Sequence, residues 1–83
     1  MNHTRLYVGD LAPNTTEQQL HDLFGTAGKV VSVDLAHSSP FAFVEMASAI
    51  EAQQAIKQYD GYNLEGSKLI VYSVPPRSHP RLG

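Results

Sequence analysis

Three aromatic residues on two apolar segments are the side chains best placed for chemistry in this sequence. The segments, 6–11 and 41–46, have apolar residues at every second position, which predicts two β-strands. Successive side chains of a strand point to opposite faces, so Tyr7, Phe41 and Phe43 share one face if their aliphatic neighbours enter a core. Exposed rings cost free energy unless something covers them. Flat rings on an open face are suited to stacking against nucleic-acid bases.

The aliphatic residues that alternate with these rings are expected to form the core beneath them. Between the two segments, Thr16 with Gln19 three residues later forms a capping box, which predicts a first helix, and Gly28 is the expected left-handed C-cap. A second helix is expected to begin after Ser48 and to end at Asp60. The residues expected in the core are Leu6, Val8, Ala42, Val44 and Met46, together with the helix stripes Leu20, Leu23, Phe24, Ala27 and Ala52, Ala55, Ile56, Tyr59.

Two more segments, 29–36 and 67–74, read as strands, with a short irregular hairpin at 62–66. In the last strand Leu69 and Val71 fit the core. The order is therefore βαββαβ. It predicts an α+β, ferredoxin-like sandwich, in which a four-stranded antiparallel sheet carries two helices on one face and leaves the other face open. On that open face the last strand presents Lys68, Ile70 and Tyr72.

Two segments resemble the paired motifs of the RNA recognition motif family. Residues 6–11, LYVGDL, are similar to the hexamer aliphatic-aromatic-aliphatic-any-any-Leu, and residues 39–46, SPFAFVEM, to the octamer basic-Gly-aromatic-Gly/Ala-Phe-Val-any-aromatic. The resemblance covers 4–74 and implies one RNA recognition motif over 1–74, followed by a flexible basic tail at 75–83. Within it, the PFAFVE run resembles the first recognition domain of serine/arginine-rich splicing factors.

The resemblance implies non-catalytic binding of single-stranded RNA by stacking on the open sheet face, in RNA processing or post-transcriptional regulation. In the family, the positions of Tyr7 and Phe43 stack on bases, and the position of Phe41 contacts sugars. The alternative role for Tyr7 is a strand-filling tyrosine on a half-exposed face. A phenylalanine has no polar group that would explain its exposure, so that alternative is weaker for Phe41 and Phe43.

Other side chains on the same face extend the candidate RNA site. Arg5 lies two residues before the first ring, and its guanidinium can reach a phosphate, stack on a base or remain a solvated charge. Tyr72 can extend the stacking surface, and Lys68 can meet a phosphate or serve only to discourage edge aggregation. Glu45 and Asp34 repel phosphates, but a carboxylate there can accept from the exocyclic amine of a base.

The charge balance leaves a second function open. The 83 residues carry a formal net charge of −2, and residues 1–74 hold four Lys or Arg against eight Asp or Glu. Ser39 replaces the usual cation of the octamer, and Pro40 replaces its glycine. We therefore expect modest RNA affinity with a shallow salt dependence, unless the tail adds Arg77 or Arg81. The alternative is a protein–protein interaction module that uses the sheet or the acidic helix face.

Neither the composition nor the motifs of the sequence indicate catalysis, cofactor binding or metal binding. The chain has no cysteine, no nucleophile elbow and no phosphate-binding glycine loop, and its four histidines (His3, His21, His37 and His79) lack ligand spacing. No long apolar run or secretory leader is present. The expectation is an intracellular monomer without membrane contact, nuclear if related to splicing factors and cytoplasmic if a free-standing bacterial protein.

Overall fold

The computed structural model describes residues 3–36 and 40–74 and has the predicted element order, including the hairpin predicted between the second helix and the last strand, which extends to Lys68. The elements are β1 Arg5–Gly9, α1 Glu17–Gly25, β2 Val30–Leu35, β3 Ala42–Met46, α2 Ala49–Tyr59, β4 Asn63–Leu64, β5 Ser67–Lys68 and β6 Ile70–Val74. Strands β2, β3, β1 and β6 form, in that order, a four-stranded sheet in which every pairing is antiparallel.

The core lies between one face of the sheet and the two helices. The five aliphatic strand residues predicted to point inward are at most 1% exposed. Helix α1 packs against β2, and α2 packs against β3 and β6, so both helices cover the same face. Leu20, Phe24, Ala52 and Ala55 from the helix stripes join the strand residues in one cluster, as do Leu69 and Val71. The predicted ferredoxin-like sandwich is confirmed.

The start of α1 follows the sequence prediction, whereas its end does not. Thr16 Oγ1 accepts from Gln19 N at 3.1 Å, and Gln19 Oε1 accepts from Thr16 N at 2.9 Å, which is the expected capping box. At the other end, Thr26 is the C-cap in a right-handed conformation, and its hydroxyl donates to Leu23 O at 2.7 Å. The prediction of a left-handed cap at Gly28 is therefore wrong, because Thr26 already satisfies a terminal carbonyl.

The predicted last strand at 67–74 is split in two, and only its second part belongs to the sheet. Leu69 N donates to Tyr62 O at 2.8 Å, and Leu69 O accepts from Gly61 N at 2.7 Å. These bonds tie Leu69 to the segment after α2. Strand β5 consequently pairs with β4 in a separate hairpin, which turns through left-handed backbone at Glu65 (φ 55°) and Gly66 (φ 86°).

Several sequence predictions fall on residues outside the described ranges. They concern Ser39 and His37 in the connection before β3, and the basic tail at 75–83 with Arg77, His79 and Arg81. These stay predictions, as does the domain boundary at residue 74. Within the described ranges, neither helix combines the length and the apolarity needed to cross a membrane.

Candidate nucleic-acid interface

The register of the sheet brings the predicted aromatic residues into one row on the open face. Tyr7 on β1 is the Cα partner of Phe43 on β3 and also of Tyr72 on β6. Phe43 is in turn the partner of Asp34 on edge strand β2. Phe41 directly precedes β3, where its carbonyl accepts from Ala36 N at 3.1 Å. Sequence positions that are far apart thus meet across the middle of the sheet.

Four rings form one connected cluster there, and we call Tyr7, Phe41, Phe43 and Tyr72 the aromatic platform. Tyr7 is central: its centroid lies 4.9 Å from that of Tyr72 at 24° and 5.7 Å from that of Phe41 at 26°. The ring of Phe43 stands edge-on to both neighbours, at 69° to Tyr7 and 75° to Phe41. These contacts leave Tyr7, Phe41 and Phe43 only half-exposed, so the rings partly shield one another from water.

Arg5 lies on the open face, as the alternation predicts, and contacts the platform directly. Its guanidinium carbon is 4.4 Å from the centroid of Phe43, a cation–π distance. The residue opposite Arg5 in the register is Glu45, whose carboxylate accepts from the hydroxyl of Thr4. Arg5 therefore rests on an aromatic ring rather than extending freely into solvent.

Gly9 is a residue of the interface that sequence reasoning missed. It lies on the same face as Tyr7, two positions further along β1, and is buried. An ideal Cβ built on Gly9 would lie 2.6 Å from Cε2 of Tyr7. A glycine inside a predicted strand often marks a close approach by another group, and that signal was available in the LYVGDL run.

Lys68 belongs to the separate β4–β5 hairpin, so the expectation that it lies on the last strand of the four-stranded sheet is wrong. Its role as an RNA contact stays a prediction. Lys68 lines a shallow hollow of about 230 Å³ beyond the end of β1, with Asp10, Leu11, Pro40 and Ser67. Leu11 N donates to Pro40 O at 2.9 Å beside this hollow, so Lys68 lies near the chain that leads into Phe41.

Charge on the open face is mixed and low. Arg5 on β1 lies opposite the acidic Glu45 on β3. Asp34 on β2 lies opposite Phe43 and is exposed. A search of the described ranges finds no group of three or more His, Asp or Glu residues that could hold a metal ion. The arrangement is suited to stacking and hydrogen bonding with a flat ligand, with little general attraction for phosphate.

Comparison with known proteins points to one family. Residues 6–70 match the family model described as RNA recognition motif. A 29 kDa chloroplastic ribonucleoprotein of Arabidopsis thaliana is 38% identical over 78 residues, which cover 87% of this chain and 23% of that protein. The chain spans about a quarter of the length of the curated relatives it matches.

Solved structures give the same result for the fold. The structure of the RNA15 RRM superposes with a TM-score of 0.85 at 22% identity, covering 92% of this chain and 94% of the other. The crystal structure of RNA-binding protein PG1 superposes with a TM-score of 0.79 at 29% identity, covering 92% and 99%. The resemblance seen in the two sequence motifs is thus confirmed over nearly the whole described fold.

Proposed function

The chain belongs to the RNA recognition motif family, a family of RNA-binding domains that catalyse no reaction, and we propose that it binds a short single-stranded RNA across the aromatic platform. The observation that carries this proposal is the cluster of four rings, each in contact with Tyr7, on the sheet face that the helices leave open. A platform of this size accommodates about two to four nucleotides. The proposed binding unit is the domain at 1–74.

Stacking supplies most of the binding free energy in this proposal. Each base stacked on an aromatic side chain contributes about 1–3 kcal/mol. Tyr7 and Phe43 receive bases, Phe41 contacts a sugar, and Tyr72, which is 49% exposed, extends the surface toward the edge of the sheet. Phosphate attraction adds little, because the described residues hold four Lys or Arg against eight Asp or Glu.

The charged groups around the rings supply selectivity. Arg5 lies over Phe43 and either remains as a second layer on an incoming base or moves to a phosphate. Asp34, opposite Phe43, can accept from the exocyclic amine of a base. Lys68 serves as a phosphate contact beside the platform, reached by an RNA that continues past the end of β1.

The decisive experiment is an NMR titration of the 15N-labelled protein with mixed-sequence RNA tetranucleotides. We expect shifts that cluster on the platform residues. Tyr7→Ala or Phe43→Ala should weaken binding by about 1–3 kcal/mol while leaving the fold intact. Tyr62→Ala is the matched control, because Tyr62 is 40% exposed but packs on Tyr59 instead of the platform. Absence of shifts at millimolar RNA would refute the proposal.

A protein-binding role through the outer face of α2 is the second candidate. Ile50 is 75% exposed and lines a shallow hollow with Ala49, Gln53, Gln54 and Lys57. The acidic Glu51 of the same helix is less available, since its carboxylate accepts from Lys29 N and from Ser48 Oγ. A pull-down that survives loss of the rings but fails with Ile50→Asp would favour this role over RNA.

RNA processing or post-transcriptional regulation inside the cell is the process that we propose. The support is the family together with relatives such as the chloroplastic ribonucleoprotein of Arabidopsis thaliana. One platform per chain suits a monomer that binds one RNA segment. Size-exclusion chromatography with light scattering, with and without RNA, tests this stoichiometry.

A further inference from the structure

We propose that Gly9 is a positioning residue for the RNA site. Because glycine has no side chain, position 9 leaves free the space that the ring of Tyr7 occupies. The inference rests on the proposed function for the use of that ring in stacking. The placement of the ring itself does not depend on RNA. The ligand class concerned is a planar base stacked on the outer face of Tyr7.

The contact is made by the far end of the tyrosine. An ideal Cβ on Gly9 would lie 2.6 Å from Cε2, 2.8 Å from the hydroxyl oxygen and 3.0 Å from Cζ of Tyr7. Real Cβ atoms essentially never come closer than 3.0 Å to a heavy atom outside their own residue and its two chain neighbours. The ring therefore leans along β1 over the backbone of Gly9, and it could not keep this position above any residue with a side chain.

The backbone conformation of Gly9 does not require glycine. Among the described glycines, only Gly61 and Gly66 have positive φ, so alanine at position 9 meets no conformational strain. A glycine inside a strand also costs conformational entropy relative to alanine. What requires glycine here is the space that Tyr7 fills.

Tyr7 has little room to move sideways if that space is closed. Phe41 lies 5.7 Å away toward β3, and Tyr72 lies 4.9 Å away toward β6 on the opposite side of β1. The helices and core lie behind the sheet. A methyl group at position 9 would therefore push the ring outward, into the space that a stacked base needs.

The first test needs no RNA. In Gly9→Ala we expect changed chemical shifts of the Tyr7 ring protons and weaker nuclear Overhauser contacts between Tyr7 and Tyr72. The core methyl signals and the melting temperature should stay near those of the parent protein. Gly25→Ala is the matched control, since a Cβ there meets nothing within 4 Å. Unchanged Tyr7 signals in Gly9→Ala would overturn the inference.

The second test couples the two residues through binding. With an RNA tetranucleotide, Gly9→Ala should weaken affinity by about threefold to tenfold, a part of one full stack. In a Tyr7→Ala background the same change should cost less than about twofold, because the ring that it displaces is gone. An equal loss in both backgrounds would overturn the inference. If even the parent protein binds no RNA, the proposed function fails, and the ring-proton test alone decides the position of Tyr7.

Discussion

Gly9 lies on the open face and Gly28 on the helix-covered side. An ideal Cβ added to either glycine would lie 2.6 Å from the nearest side-chain atom, but the two neighbouring side chains differ in how freely they can move. At Gly9 the neighbour is the far end of the Tyr7 ring. At Gly28 an ideal Cβ would lie 2.6 Å from Cβ and 2.7 Å from Cγ of Glu51. The base of a side chain on a packed helix cannot swing aside. A side chain added at Gly9 is therefore expected to impair ligand binding, whereas one added at Gly28 is expected to impair folding.

The hydrogen bonds of Glu51 explain why the helix side is rigid. Its carboxylate accepts from Lys29 N just before β2 and from Ser48 Oγ at 3.1 Å, and Ser48 Oγ in turn accepts from Glu51 N at 3.2 Å. This carboxylate connects the start of α2 to the start of β2. On the open face the side chains contact one another mainly through their rings, apart from the hydrogen bond between Thr4 and Glu45. Ring contacts of this kind leave space for a flat ligand.

The strongest test of this comparison uses two adjacent residues of β1. Leu6→Ala should lower the free energy of unfolding by about 2–5 kcal/mol, because Leu6 is fully buried beneath the helices. Tyr7→Ala should lower it by about 0.5–1.5 kcal/mol, the value of lost ring contacts. Urea denaturation followed by circular dichroism measures both. Equal losses would contradict the division of roles between the two faces.

The two glycine sites give the next largest effect. Gly28→Ala should cost about 1–3 kcal/mol of unfolding free energy through overpacking against Glu51, with RNA affinity of the folded protein unchanged. Gly9→Ala should leave the free energy of unfolding nearly unchanged and weaken RNA affinity. Gly25→Ala, the control without neighbours, should raise stability by about 0.5–1 kcal/mol. A Gly28→Ala protein as stable as its parent would show that Glu51 can move after all.

Arg5 comes next, and its substitutions separate two ways of binding RNA. Arg5→Gln should weaken RNA affinity by about 0.5–1 kcal/mol, because the bound RNA loses the guanidinium as a cation that stacks on a base or meets a phosphate. If Arg5 meets a phosphate, the slope of log affinity against log salt also falls, by about 0.7, and Arg5→Lys restores it. If Arg5 only covers the ring, the slope stays unchanged. Titrations at several salt concentrations distinguish these outcomes.

Lys68 should give the smallest effect, because it belongs to the β4–β5 hairpin and not to the sheet that carries the platform. Lys68→Gln should reduce the salt slope by about 0.7 for a longer RNA and leave dinucleotide binding unchanged. Lys57→Gln on α2 is the control and should change neither. An equal effect of Lys68→Gln on dinucleotides would show that Lys68 contacts the nucleotides bound on the rings.

Local patterns predicted much of this molecule correctly. The alternation around Tyr7 assigned its neighbours to the core, and Thr16 and Ser48 marked where the helices begin. The end of α1 and the break at Leu69 were mispredicted. Thr26 competes with Gly28 for the helix end, and Leu69 bonds to residues after α2 instead of continuing the sheet. These outcomes depend on partners that a local pattern does not contain.

The sequence by itself determined which side chains face outward, because the two-residue period of a strand is a local property of the backbone. Through its two motifs it also determined the family. Only the tertiary structure decided that Tyr72 stacks on Tyr7, that Arg5 covers Phe43 and that Gly9 lies beneath a ring. Those contacts require a register between strands distant in the chain, and the packing of the whole sheet against its helices sets that register.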